Sequence, residues 1–214
     1  MPLLFATSNP HKLREVEAIL APMGVRIIGL SAVETPDGRR ADELPEPEEN
    51  GDTFEENAAI KARYYARATD QPCLADDSGL EVDALDGDPG VRSARYAGMG
   101  ETRDERDAAN IEKLLTELAD APDHPRIARF VCAMCVAAPD ESILAIARGG
   151  LEGVIGAEPR GENGFGYDPL LILPDGRTCA ELTDEEKNAR SHRAAAAKAI
   201  APELLQALAS HDRN

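Results

Sequence analysis

Apolar residues along this chain come in short blocks, set between longer stretches where they recur at helical spacing. Leu3 to Ala6 is a compact apolar run that reads as a buried strand. Leu13, Val16, Leu20 and Met23 then fall three or four apart and form one stripe of a helix closed by Gly24. Val25 to Leu30 reads as a second strand. Residues 34 to 52 break the pattern; they are rich in Pro, Gly, Asp and Glu and read as a long mobile loop. Thr53-Phe54-Glu55-Glu56 has capping-box spacing and starts a helix to about Thr69, with Phe54, Ala58, Lys61 and Tyr65 on one stripe. Cys73-Leu74-Ala75 is a third apolar run. It ends in Asp76-Asp77-Ser78-Gly79, which reads as a buried strand stopping at its C-terminal end, with Gly79 letting the chain turn.

The second half repeats these signals. Asp86-Gly87-Asp88-Pro89-Gly90 is a turn cluster, and Thr102-Arg103-Asp104-Glu105 is a second capping box. Its helix carries Ile111, Leu114, Leu115 and Leu118 on one side and ends by Pro122. Residues 126–138 and 142–148 read as strands joined by the hairpin-sized Pro139-Asp140-Glu141, with Leu151 to Ile155 continuing the sheet and Leu170 to Leu173 adding a short strand. Thr183-Asp184-Glu185-Glu186 is a third capping box. Ser191-His192-Arg193 opens an Ala-rich C-terminal helix that Pro202 is expected to kink or restart. Strands interleaved with helices predict an α/β fold.

Composition narrows the possibilities. At 214 residues and 43% hydrophobic, the chain suits one core-forming domain, 1–214, with two lobes and no separate linker. Without Trp and with few aromatics, that core is built from Ala, Val, Leu and Ile. A net charge of −17 argues against a polynucleotide or an anionic membrane as partner. It leaves room for a small phosphorylated ligand, because a few cations in one pocket reverse the local field. No apolar run approaches the roughly 20 residues of a membrane span, and Met1 to Phe5 lacks the look of a signal peptide. Four Cys in this length do not make a disulfide scaffold, so the expected compartment is the reducing cytoplasm. Cys132 and Cys135 have C-x-x-C spacing inside a strand-like run, where i and i+3 face opposite sides, so a joint metal site is not expected.

Three stretches carry candidate chemistry. Thr7-Ser8-Asn9-Pro10-His11-Lys12 joins a strand to a capped helix start, a natural anion site, with Lys12 adding a full charge. It is not a P-loop. Asp76 and Asp77 on a strand point to opposite faces, so they cannot share a pocket unless the strand ends there. Gly161-Glu162-Asn163-Gly164-Phe165-Gly166-Tyr167-Asp168-Pro169 places scarce aromatics between glycines, which suits stacking on a planar ligand or a tight turn with Phe165 in the core. Lys187, His192 and Arg193 can surround an anion at the last helix start, or lie on a wet helix face.

Thr7–Lys12, Ala75-Asp76-Asp77-Ser78-Gly79-Leu80, Ser93-Ala94-Arg95-Tyr96, Phe165-Gly166-Tyr167-Asp168-Pro169, and Glu185-Glu186-Lys187 with Ser191-His192-Arg193 together resemble the inosine triphosphate pyrophosphatase family, and within it the bacterial dITP/XTP pyrophosphatases. The resemblance implies an elongated two-lobed α/β fold, with a central mixed sheet flanked by helices and a nucleotide cleft between the lobes. It implies a cytosolic homodimer that uses Mg²⁺ and hydrolyses ITP, dITP or XTP to the monophosphate and pyrophosphate. By motif position Thr7, Ser8, Asn9, Pro10, His11 and Lys12 hold phosphates, and Asp77 is the metal-binding catalytic base. Ser78 touches substrate, while Phe165, Gly166, Tyr167, Asp168, Lys187, His192 and Arg193 hold base and sugar-phosphate. Arg193, His192 and N–H groups near Phe165–Asp168 are the candidate donors to the C6 oxygen of the base. The second metal carboxylate comes from Glu46, Glu48 or Glu49, and counting back from Thr53-Phe54 favours Glu48. Ser8 stands where the family usually has glycine. A Maf-type pyrophosphatase and a non-catalytic nucleotide sensor are the alternative readings.

Overall fold

The computed structural model describes residues 2–121 and 123–211, so Pro122, the expected helix end, lies outside the described residues. The strands are β1 (Leu3–Phe5), β2 (Ile27–Gly29), β3 (Cys73–Val82), β4 (Ile127–Ala137), β5 (Ile143–Ile155) and β6 (Leu171–Ile172). The helices are α1 (Pro10–Leu20), α2 (Phe54–Thr69), α3 (Arg103–Ala119), α4 (Asp184–Arg190) and α5 (His192–His211). The strands form one mixed sheet in the order β2-β1-β3-β4-β5-β6. β1 runs parallel to β2, with Leu3 opposite Ile27, and parallel to β3, with Leu4 opposite Cys73. β5 and β6 are antiparallel.

The helix starts follow the sequence closely. Asn9 caps α1 by accepting from the His11 N–H at 3.0 Å, with Pro10 at the first helical position. Thr53/Glu56, Thr102/Glu105 and Thr183/Glu186 each form a reciprocal capping box. α1 gives way to one 3-10 turn, Ala21–Met23, before Gly24 turns the chain at φ 83°.

Three expectations fail. β3 does not stop at the aspartates but runs on to Val82, because both carboxylates find partners inside the fold. Gly79 therefore marks a close approach and not a turn. A Cβ there would lie 2.3 Å from the Ser93 Oγ, whose hydroxyl accepts from the Leu80 N–H at 2.9 Å. The 34–52 segment is not a featureless loop. It holds a Glu34–Arg40 bridge and a 3-10 turn at Ala41–Glu43, and Ala41 is fully buried. α5 runs through Pro202 without restarting.

The chain divides into two compact units. The first comprises Met1–Asp77, Cys132–Gly149 and His192–Asn214; the second comprises Ser78–Val131 and Gly150–Ser191. β3, β4 and β5 each pass from one unit to the other along their length. In the first unit Leu3, Phe5, Val16, Leu20, Leu74, Met134, Ala197 and Leu204 form a core joining β1, β3 and β4 to α1 and α5. In the second, Leu80, Leu114, Leu118, Phe130, Tyr167, Leu171 and Leu182 form another. The four cysteines are buried free thiols in these interiors, Cys73, Cys132 and Cys135 in the first unit and Cys179 in the second. Burial pushes all four thiols up, Cys135 to about 11 and Cys179 to about 12.

Gly149 on β5 sets the seat of α5. A Cβ there would lie 2.2 Å from the Ala196 N and 2.3 Å from the His192 O, so only glycine lets the helix start this close to the strand. Gly149→Ala pushes against backbone that cannot rotate away. It is expected to destabilise the protein by about 1–3 kcal/mol, read as a lower urea midpoint. An unchanged midpoint would show that α5 shifts freely on the sheet.

Candidate active site

In the first unit, β3 delivers two adjacent carboxylates to different surroundings. Asp76 is 1% exposed. Lys12, from the first turn of α1, places its Nζ 3.2 Å from Oδ1 and 3.0 Å from Oδ2. Arg193, the second residue of α5 and fully buried, donates from Nε to Oδ2 at 3.4 Å and from Nη1 to Glu15 on α1. Burial alone would raise the Asp76 carboxyl; Lys12 first, then Arg193 and Lys61, override it and hold it well below the ordinary value of 3.8.

Asp77 turns the other way and accepts from the Asn57 Nδ2 on α2 at 3.1 Å. Asn57 is itself buried, and its Oδ1 accepts from the Gly51 N–H at 2.8 Å, tying the preceding loop to the strand. One turn further along α2, Lys61 donates to the Asp76 backbone carbonyl at 3.0 Å and pairs with Glu49 at 2.7 Å. Asp77 is raised above its ordinary value. Burial is the main cause and the nearby Glu49 charge adds to it, while Lys61, Lys12 and the Asn57 hydrogen bond oppose the rise. Carboxylate oxygens such as those of Asp77 and Glu49 are hard donors of the kind that small divalent cations take.

The second unit assembles a different group. Gly161, Gly164 and Gly166 all have positive φ and fold the 161–169 loop on itself. Asp168, buried, accepts from the Phe165 N–H at 2.8 Å and from the Lys187 Nζ at 2.7 Å through the same oxygen. Tyr167 enters the core and donates to the Ser93 carbonyl at 3.0 Å. Asp107 of α3 accepts from the Gly166 N–H at 2.9 Å. Phe165 stays half-buried, with the Arg103 guanidinium carbon 4.6 Å and the Lys187 ammonium 4.9 Å from its ring centroid.

The Ham1 family model matches residues 3–203, nearly the whole chain. This chain belongs to the Ham1 family. A Ham1 protein from Coxiella burnetii has the same fold, with a TM-score of 0.82 at 41% identity, covering 96% of this chain and 99% of that one. A Mycobacterium abscessus structure described as a nucleoside-triphosphatase/dITP/XTP pyrophosphatase aligns at TM-score 0.71 and 43% identity, over 93% and 97% of the two chains. The Bacillus subtilis relative named dITP/XTP pyrophosphatase is 47% identical over 95% of this chain and 96% of its own.

Within this Ham1 fold the expected site residues divide between the units. Thr7, Ser8, Asn9, Pro10, His11 and Lys12 form the β1–α1 corner, where the Thr7 Oγ1 accepts from the Asn9 N–H at 3.2 Å and His11 points outward beside Arg14. Ser8 is exposed. Ser78 follows Asp77 on β3. Lys187, His192 and Arg193 are buried, so none lies on a wet helix face. The Lys187 ammonium meets Asp168 and Phe165 in the second unit, and the Arg193 guanidinium meets Asp76 and Glu15 in the first. The core occupant of the glycine loop is Tyr167, not Phe165.

The three candidate glutamates differ in their surroundings. Glu46 and Glu48 are exposed, whereas Glu49 is half-buried, paired with Lys61 and felt by Asp77. Sequence reading also passed over Asn57 and Lys61. Their signal is two polar residues four apart on α2, Lys61 on its apolar stripe and Asn57 alongside. Among the described residues no group of three or more His, Cys, Asp and Glu gathers as a metal site.

Asp76 and Asp77 are expected to have opposite effects on stability. The Asp76 contribution is present above the ordinary carboxyl value of 3.8 and is lost as pH falls through its lower folded value. Asp76→Asn strands two buried cations and costs about 3–5 kcal/mol near neutral pH. Asp77, raised, makes the fold less stable once pH rises through its folded value. Asp77→Asn in metal-free buffer at pH 7 should therefore unfold at higher urea than the wild type. Urea titrations of the two variants check both signs, and a destabilised Asp77→Asn would contradict this account.

Proposed function

We propose that this chain hydrolyses the α–β phosphoanhydride of purine nucleoside triphosphates with deaminated bases (ITP, dITP and XTP), releasing the monophosphate and pyrophosphate. The observation that carries the reading is Asp77: a carboxylate on β3, raised by burial and by the Glu49 charge against the opposing charges of Lys61 and Lys12. Near-identity in length with relatives named dITP/XTP pyrophosphatase supports the substrate class.

In this reading Asp77 accepts the proton of the attacking water as its oxygen bonds to phosphorus and the bridging P–O bond breaks. A base poised above the usual carboxyl range suits that task. Asp77 and Glu49 would hold a Mg²⁺ ion, whose two carboxylate ligands leave its remaining positions to water and phosphate oxygens. When bound, the ion neutralises phosphate charge. Lys12 and the N–H groups at the start of α1 take the phosphates, and Lys61 balances the second carboxylate. Ser78 adjoins Asp77 as a substrate contact.

The base falls to Phe165 and its neighbours. Arg193 is committed to two carboxylates, so the donors that select a C6 oxygen over the adenine amino group are assigned to the 161–169 loop. A buried donor facing an amino group costs about 1–3 kcal/mol. His192, also buried, supports the α5 start. With this reading go a cytoplasmic location and a homodimer; among the described residues no helix is long and apolar enough to cross a membrane. The chain as a single two-lobed domain is part of the same proposal.

The test is pyrophosphate release from ITP, XTP, GTP and ATP, with and without Mg²⁺. ITP and XTP should lead, and activity should vanish without the metal. A Maf-type enzyme would instead prefer pyrimidine or methylated nucleotides, and a sensor would release none. Asp77→Asn should lose at least about 10²–10⁴-fold in turnover. Lys12→Ala should raise KM by an amount that shrinks as salt rises. Asp77→Asn turnover within tenfold of wild type would remove it from the chemistry.

A further inference from the structure

The Phe165 ring has two cations over it, and they are held very differently. The Lys187 ammonium is 9% exposed and makes a 2.7 Å ion pair with a 4% exposed Asp168, which also anchors the Phe165 N–H. Gly164 leaves room for that pair; a Cβ there would sit 2.1 Å from the Asp168 Oδ2. Arg103 is 39% exposed, and its nearest carboxylate, Asp107, lies at 3.9 Å. Asp107 already accepts from the Gly166 N–H, so it need not follow Arg103 if the side chain swings away.

A planar base that stacks on Phe165 needs a face of the ring, and must displace whichever cation covers it. Moving Lys187 breaks a buried ion pair and releases the loop. Moving Arg103 gives up one partly exposed cation–π contact, worth only about 0.5–1 kcal/mol. We infer that Arg103 is a displaceable placeholder on the face of Phe165 that receives the purine base, and so sets how readily that base is bound. This rests on the assignment of the base to Phe165 above.

A charged nucleotide confuses the measurement, because removing any cation from this acidic protein also weakens attraction to phosphate. Inosine carries the base and sugar without phosphate and is neutral at pH 7, so it is the probe. Calorimetry on the full chain should show Arg103→Ala binding inosine about two- to fivefold more tightly than wild type, the reciprocal of the lost contact. Arg103→Lys, which keeps the charge without the planar stack, should fall between them. In a Phe165→Leu background, Arg103→Ala should change nothing. Thermal midpoints separate a purely structural role, which would lower stability and weaken binding together. Equal or weaker inosine binding by Arg103→Ala, or no binding by either protein, overturns the inference. Pyrophosphate release from ITP by the same wild-type preparation keeps the two readings apart: its absence sinks the proposed function, whereas its presence with unchanged inosine affinity sinks only the role of Arg103.

Discussion

Burying the Asp76 charge is the constraint on which the first unit turns. An ionised carboxylate inside a sheet is costly unless cations reach it. Two do, from opposite ends of the chain: Lys12 from the start of α1 and Arg193 from the start of α5. Each can reach only if its helix begins in the right place. Asn9 and Pro10 fix the first start, and the missing side chain of Gly149 permits the second. The Thr7–Lys12 corner and the start of the C-terminal helix are thus both tied to one strand residue.

Strand alternation then gives Asp77 a different life from its neighbour. Asp76 meets full positive charges and stays ionised; Asp77, buried with an amide and a nearby carboxylate and with less opposing positive charge, gains affinity for protons. Two carboxylates one peptide unit apart therefore sit in opposite electrostatic surroundings, and the less compensated one destabilises the fold when it ionises.

The order of elements and the helix starts were legible because they depend on local chemistry: three capping boxes, Asn9-Pro10, and apolar blocks of strand length. The continuation of β3 was not, because Asp, Ser and Gly are turn residues unless distant partners accept them. Lys12, Arg193, Asn57 and Ser93 lie far from β3 in sequence, and no spacing rule links them to it. The different surroundings of Glu48 and Glu49 were not legible for a related reason. A loop without helical or strand period has no register to count along, and only Lys61 distinguishes the two. In the glycine loop the division of labour between core Tyr167 and half-buried Phe165 is set by Ser93 and by the two cations, which no local pattern announces.

The buried cysteines have a practical consequence. A thiol whose proton is held this firmly reacts with an alkylating reagent only when its surroundings open. Cys179 lies in the second unit and the other three lie in the first. The native chain therefore carries its own pair of clocks. The rate at which a thiol reagent marks Cys179, set against the rate at Cys73, Cys132 and Cys135, times the opening of each unit separately and shows whether the two breathe together or apart.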